Sequence, residues 1–525
     1  MSDISEMKAS HKVSNFFFRA SSTKRDLLIL LLLSAILKAF LALCIGVINH
    51  DGVLYITAAQ KLATGSFKEA LNIYGMPLYS LLIVLTHYVI PNWIAAARFV
   101  SLAASIFTII PLYLLTREIF HRQTALWACA AFALLPLSNH LSVEVVRDPL
   151  FLFFFAWSTY FANRAIKSKK LFHFLLSSLT CLFSILCRLE GLILYIFYPL
   201  YVFFLCLRRS QDRYGLLKGM LAYIAPPLII FILFSLGTKW PPTFNRIDAI
   251  ILTINEIFNL KFMDNYIHIY NQLKIIESTI TGANKWHNLI EIVRHYMLII
   301  YLIGLLESFI KALFPLYLIP LIFGFYHSRN RNGIFILLLV SSYLLMCYYH
   351  LIRMDDIRSR FLITPAFLLC PWIGSGIDRL YTYVKGSSRR RLFTILLVIF
   401  FALPPAYKSL RMIRKQDTVL LKAGKWIATV PQFKAARIIT TDRRVAFYAG
   451  RGADFVFYPE SDYFKMETFA AEGRMDLLIV KTSKKKKKQT PRFKKYRKIE
   501  EFVGVKDIVG IYCSPRLYGT VKGKI

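Results

Sequence analysis

The chain has 525 residues, 56% of them hydrophobic, and a mean hydropathy of +0.49. Soluble domains hold about 45–50% apolar residues, so these values exclude an ordinary soluble globule and indicate an integral membrane protein. The formal charge of +36 is scattered over loops between apolar runs with no nucleic-acid-binding module around it, so no nucleic-acid partner is expected. The eight cysteines (Cys44, Cys129, Cys181, Cys187, Cys206, Cys347, Cys370, Cys513) form no CxxC pair. Neither a disulfide framework nor a cysteine metal site is inferred.

In chain order, Lys8, Lys12, Arg19, Lys24 and Arg25 place the N-terminus in the cytoplasm by the positive-inside rule. Leu27 to Ile48 is long enough to span, since about twenty residues suffice, and no cleavable signal fits, so it is read as a signal anchor. Lys38 near its middle either snorkels or pairs structurally, or lines a substrate path. The chain then meets water outside at His50-Asp51-Gly52-Val53-Leu54-Tyr55. Thr57, Gln60, Lys61 and Thr64, interleaved with Leu54, Ile56, Ala59 and Leu62, suit a helix lying along the interface. Gly65 and Tyr74-Gly75-Met76-Pro77 punctuate it before an apolar helix, Leu78 to Ile90. Asp51 is either a helix cap or a chemical group. No Glu or Gln follows three residues later to complete a capping box.

Span two (Trp93 to Thr116) carries Arg98 near its outer end, and span three (Thr124 to Leu137) returns to an outer segment, Asn139 to Pro149, containing Glu144, Arg147 and Asp148. There an Arg147–Glu144 ion pair with Asp148 as a helix cap competes with a functional reading. Spans four to seven are Leu150–Ile166, Leu171–Leu186, Leu189–Leu207 and Leu221–Leu236. Arg188 and Glu190 face outward between five and six, where an ion pair and an anion-binding arginine stand as equal readings. A long external segment, Gly237 to Leu313, holds Trp240-Pro241-Pro242 and interfacial helices. Spans eight (Phe314–Tyr326), nine (Gly333–Tyr349), ten (Phe361–Ile377) and eleven (Leu392–Pro405) follow. The outer loop before span ten carries Arg353, Asp355, Asp356, Arg358 and Arg360.

The expected fold is therefore an α-helical polytopic membrane protein of about eleven transmembrane helices with interfacial helices and a small C-terminal α/β domain. Its parts are residues 1–26, cytoplasmic; 27–405, transmembrane; and 406–525, soluble and periplasmic. The last part reads as a helix (Leu420–Thr429), a strand (Arg437–Thr440), a helix (Arg444–Tyr448) and strands at Leu477–Val480 and Val509–Cys513. The Lys484–Lys488 run, continued by Arg492, Lys494, Lys495, Arg497 and Lys498, reads as a solvated loop, with attraction to anionic headgroups or phosphorylated glycans as the functional alternative.

The order of these features resembles the GT-C superfamily of polyprenyl-phosphate-dependent glycosyltransferases, in the bacterial branch related to protein O-mannosyltransferases and to the lipid A aminoarabinose transferase. The resemblance is carried by Asp51-Gly-Val-Leu-Tyr-Ile, Tyr74-Gly-Met-Pro-Leu-Tyr, Arg98-Phe-Val-Ser, Leu112-Tyr-Leu-Leu-Thr-Arg-Glu-Ile-Phe, Asp148-Pro-Leu, Arg188-Leu-Glu-Gly, Arg358-Ser-Arg-Phe-Leu-Ile-Thr-Pro, Ala423-Gly-Lys-Trp-Ile and Val445-Ala-Phe-Tyr-Ala-Gly. It thins over Gly237 to Leu313. Many relatives carry Asp-Glu in the first loop, where this chain has Asp51-Gly52.

The resemblance implies an inverting transfer of a sugar from a polyprenyl-phosphate donor to a protein, lipid or glycan acceptor, at the outer face of a bacterial inner membrane. Asp51 would be the catalytic base, and one base suffices because a lipid phosphate is already a good leaving group. Arg98, Arg188 and Arg360, with Arg358 in reserve, would bind the departing phosphate. Tyr55 counts among the substrate-binding residues. Asp148 and Glu144 would orient Asp51, bind sugar or acceptor, or ligate a divalent cation. Oxygen ligands permit Mg²⁺ or Mn²⁺ without establishing a site, and no cofactor is certain. The expected partners are the lipid-linked donor, membrane lipids and the acceptor. The competing reading is a transporter or flippase of lipid-linked sugars, against which stands the lack of a clear internal repeat.

Overall fold

The computed structural model describes residues 24–208, 213–236, 255–256, 259–280, 285–327, 333–385, 389–414, 418–452, 454–458, 463–472, 475–484 and 493–521. The basic segment before Lys24, Trp240-Pro241-Pro242, Arg329, Arg331, Lys485–Lys488 and Arg492 lie outside the described residues. The chain divides into two compact units. The larger is Met1–Ala39, Ser101–Ser142 and Arg147–Leu410; the smaller is Phe40–Val100, Val143–Val146 and Arg411–Ile525. The C-terminal module thus shares a unit with the Asp51 segment.

The helices are, in order, α1 (Lys24–Cys44), α2 (His50–Ala63), α3 (Phe67–Ile73), α4 (Pro77–His87), α5 (Trp93–Phe107), α6 (Ile109–Ile119), α7 (Arg122–Leu134), α8 (Pro136–Val143), α9 (Asp148–Ser168), α10 (Leu171–Cys187), α11 (Leu192–Arg208) and α12 (Arg213–Leu236). They continue with α13 (Asp264–Thr279), α14 (Lys285–His295), α15 (Met297–Leu313), α16 (Leu318–His327), α17 (Ile334–Met354), α18 (Ile363–Lys385) and α19 (Arg390–Arg414). Among the described residues six helices are long and apolar enough to cross a membrane, or eight if each of two bent pairs is one crossing. The bent pairs are α7 with α8 (55°) and the α14–α15 region (75°).

At the eighth span the boundary differs from the sequence reading. The 17-residue apolar helix α15 occupies what was read as the end of the external segment, and Leu318–His327 is a ten-residue helix after it. Phe314, at φ 72°, breaks the two apart, a backbone state that the hydropathy pattern does not encode. Within the larger unit α16 lies close against α18. A Cβ added at Gly376 would stand 1.7 Å from the Pro320 carbonyl oxygen, so only glycine permits this approach, as small residues do between apolar helices. Lys38 is fully buried and donates to Asn139 Oδ1 at 3.0 Å, and Asn139 donates to Ser409 Oγ at 3.1 Å. This is the structural pairing, one of the alternatives weighed for Lys38.

The smaller unit holds α2 to α4, the start of α5 and the C-terminal module. The module contains α20 (Val419–Thr429), β1 (Ile438–Thr440), α21 (Arg443–Tyr448), β2 (Val456–Phe457), α22 (Tyr463–Glu472), β3 (Leu477–Ser483), β4 (Arg497–Val503), β5 (Asp507–Cys513) and α23 (Pro515–Val521). The sheet order is β2-β1-β3-β5-β4, with β1 parallel to β2 and β3, and β5 antiparallel to β3 and β4.

Period-two alternation splits the strands between two cores. Ile438, Leu477, Ile479, Val509 and Ile511 pack with α20 and with Val445 of α21. Ile439, Leu478, Val480 and Tyr512 pack with Met466 and Ala470 of α22. Burial on both faces explains the unbroken Leu477-Leu-Ile-Val run. Arg497 and Lys498, read as part of a basic loop, open the edge strand β4 instead, where charge protects an unpaired edge.

Candidate functional site

Asp51 is the second residue of α2, half-buried, and Asn49 rather than Asp51 occupies the cap position. A carboxylate in the first turn is favoured by the helix N-terminus. Around it α2 is more buried than an interfacial helix: Val53, Tyr55, Ile56, Thr57, Ala58 and Ala59 are all interior. Tyr55 meets the rings of Tyr74 and Tyr79 edge-on, at centroid distances of 4.7 and 5.2 Å. Gly52 packs against Val145: a Cβ there would stand 2.9 Å from the valine Cβ and 2.7 Å from Asn49 Oδ1. A side chain at this position therefore has no room in this backbone arrangement.

In the same unit, the segment Asp442 to Tyr448 is fastened to the start of α2. The Ile48 N–H donates to Tyr448 Oη at 2.7 Å, and His50 Nδ1 lies 3.8 Å from Asp442 Oδ1. His50 packs edge-on to Phe457 at 5.5 Å, and the Arg443 guanidinium lies 4.2 Å from the centre of the same ring. Asp442 caps α21 by accepting from the Arg444 N–H, and receives the Arg444 fork at 2.9 and 2.6 Å, with Lys481 Nζ at 3.7 Å. Burial opposes its ionisation, yet the hydrogen bonds from Arg444 and His50 and the charges of Arg444 and Lys481 outweigh that and hold its carboxyl well below the usual range. Arg98, half-buried, donates to the Val47 carbonyl at 3.4 Å and lies within the field of Glu144. Burial disfavours the charged form of Arg443, and the charge of Asp51 favours it.

The smaller unit thus gathers Asp51, Arg98 and Glu144, three of the residues singled out from sequence, and adds Arg443 and Tyr448, which sequence reasoning missed. One available signal was Thr441-Asp442-Arg443-Arg444 directly after a strand, because the carboxyl end of a parallel strand is where open α/β sheets bind ligands.

The larger unit holds a second charged group. Arg188 pairs with both Asp148 and Glu190, and Asp148 and Arg188 are 1% and 3% exposed. The guanidinium packs over Phe361 at 4.7 Å. The ion-pair reading is thus the one observed for Arg188 and Glu190. Arg147 donates to the Cys187 carbonyl at 2.9 Å. Arg360 lies beside Phe361, and Arg358 stands exposed, 3.7 Å from Asp356. Asp148 does not cap α9 but is its first helical residue.

Among the described residues, the three-residue group able to surround a cation is Glu277, His287 and Glu291, with ligand atoms within 4.8 Å of one another. Its mixed nitrogen and oxygen donors suit a transition metal better than Mg²⁺. Glu277 is already held by Arg294 at 2.8 Å, so the group fits a cation poorly.

Residues 75–240 match the family described as dolichyl-phosphate-mannose-protein mannosyltransferase. The oligosaccharyltransferase of Archaeoglobus fulgidus, tethered to an acceptor peptide, is similar in fold at 13% identity and a TM-score of 0.57, over 87% of this chain and 69% of that one. The oligosaccharyltransferase AglB from Archaeoglobus fulgidus, with an inhibitory peptide and a dolichol-phosphate, gives 12% identity and a TM-score of 0.53 over 86% and 69%. ArnT from Cupriavidus metallidurans, bound to undecaprenyl phosphate, gives 12% identity and a TM-score of 0.50 over 92% and 97%. No curated protein sequence matches. The match over residues 75–240 and the likeness in fold make this chain similar to glycosyltransferases of the GT-C superfamily.

Proposed function

We propose that the protein transfers a sugar, with inversion, from a polyprenyl-phosphate donor to a hydroxyl of a protein, lipid or glycan acceptor at the outer face of a bacterial inner membrane. The solved relatives with dolichol-phosphate and undecaprenyl phosphate support a lipid-phosphate donor. The observation that carries the reading is the half-buried Asp51 in the first turn of α2, in one unit with Arg98 and Glu144.

Asp51 accepts the acceptor hydroxyl proton while that oxygen forms its bond to the anomeric carbon. The bond from the anomeric carbon to the phosphate oxygen breaks, and its electron pair leaves with the lipid phosphate. Arg98 supplies positive charge for that oxyanion, and Glu144 holds Arg98 in place. Arg188 is committed to Asp148 and Glu190, so it serves to organise its own unit and is assigned no phosphate contact. The compact grouping of the C-terminal module with the Asp51 segment supports one side of the membrane for both. The positive-inside pattern supports a cytoplasmic N-terminus and hence an external site.

The test is Asp51→Asn in purified protein. Loss of transfer by about 10²–10⁴-fold, with binding of undecaprenyl phosphate retained, is the expected result. Transfer at the wild-type rate would remove Asp51 as the base and favour the transport reading.

A further inference from the structure

The C-terminal sheet has the strand order of a doubly wound fold at one point. From β1 the chain passes through α21 to β2 on one side, then returns through α22 to β3 on the other. Helices α21 and α22 lie on opposite faces, since Val445 joins the α20 core and Met466 the other. The carboxyl end of β1 is thus a topological switch point, where such sheets open a crevice for ligands. Asp442, Arg443 and Arg444 follow immediately after it.

These three residues are held differently. Asp442 and Arg444 are tied to each other, and Asp442 to His50, so they clamp the crevice to the first turn of α2. Arg443, half-buried, lies on the Phe457 ring that also supports His50. Asp51 is the residue after His50, just as Arg443 is the residue after Asp442. An aromatic face that supports an arginine leaves the edge of its planar fork available to an anion.

We infer that Arg443 is a substrate-gripping residue supplied by the C-terminal module: it balances Asp51 in the empty site and moves its fork to the donor phosphate when the lipid binds. The exchange frees Asp51 to act as base only when a donor is in place, because a carboxylate released from a cation takes up a proton more readily. The module therefore completes the site with a cation that the first segment lacks beside Asp51. The inference rests on the glycosyltransferase reading above and deepens it.

The test measures binding of undecaprenyl phosphate to the full-length protein in neutral phosphatidylcholine nanodiscs, with phosphate-free undecaprenol as control. Arg443→Gln should weaken binding about tenfold, the value of one charge-assisted hydrogen bond. Arg443→Lys, which keeps the charge and loses the fork, should fall between. Asp51→Asn should tighten binding by releasing Arg443, and this gain should vanish in the Asp51→Asn, Arg443→Gln double variant. Melting temperatures equal to wild type establish that each variant is folded.

If Asp51→Asn leaves affinity unchanged, or its effect persists without Arg443, the exchange is overturned while the lipid-phosphate reading survives. If the wild type does not distinguish undecaprenyl phosphate from undecaprenol, that reading falls and takes this inference with it.

Discussion

The two charged groups, one in each unit, are made of the same residue types and stand in different states. Around Arg188 two carboxylates close on one guanidinium in a setting with little solvent, so the cation is matched from within and the carboxylates are in excess. Around Asp51 the groups are half-buried, except Asp442, which is buried and holds the Arg444 fork. A buried cluster whose one cation is held by two carboxylates has little to offer an anionic ligand, because displacing either partner exposes another to the cost of an unpaired interior charge. A partly open one can exchange partners at small cost. Burial and pairing separate the two groups, where residue identity does not.

The sharpest way to break this comparison is to remove Arg188. Arg188→Leu leaves Asp148 and Glu190 buried without their cation and should cost about 3–5 kcal/mol of stability, read as a lowered melting temperature in detergent. A variant as stable as wild type would mean that the cluster is open after all.

A smaller effect is expected from acid. The carboxyl of Asp442 is held below its unfolded value by Arg444, His50 and Lys481 against the opposing effect of burial. Its stabilisation is therefore fully present above the unfolded value of about 3.9 and is lost as pH falls through the lower folded one. The wild-type melting temperature should fall below about pH 4. Asp442→Asn should be less stable at pH 7 by about 1.5–3 kcal/mol and should show a flatter acid limb. Parallel acid limbs for the two proteins would separate Asp442 from the clamp.

The smallest effect concerns Gly52. Gly52→Ala places a methyl against Val145 and should destabilise by about 1 kcal/mol, while lowering transfer more than stability because it shifts the turn that carries Asp51. An alanine variant with wild-type stability and activity would show that the contact yields freely.

Much of the fold was legible because a bilayer imposes long apolar runs and an α/β core imposes period-two strands. Leu27 to Ile48 and Gly333 to Tyr349 correspond to α1 and α17, and Leu477–Val480 and Val509–Cys513 lie within β3 and β5. The eighth span, read as Phe314–Tyr326, matches the short apolar stretch Pro315–Tyr326, whereas Met297–Leu313 stayed in the external segment because it adjoins amphipathic helices and hydropathy alone does not mark the break at Phe314. Strand β4 was hidden by its charge: four of its seven residues are Arg, Lys or Glu, and Ile499, Phe502 and Val503 leave no apolar period to read.

The amino-acid order by itself determined that the chain is a membrane protein, that an acid follows its first apolar run, and that a mixed α/β module follows its last, since each is a local pattern of hydrophobicity and charge. Only the tertiary structure decided which charges are paired with which, and how deeply. It joined Arg188 to Asp148 across 40 positions and brought Tyr448 to Ile48 across 400. Such pairings depend on how helices and sheet pack, and no local pattern of residue types carries them.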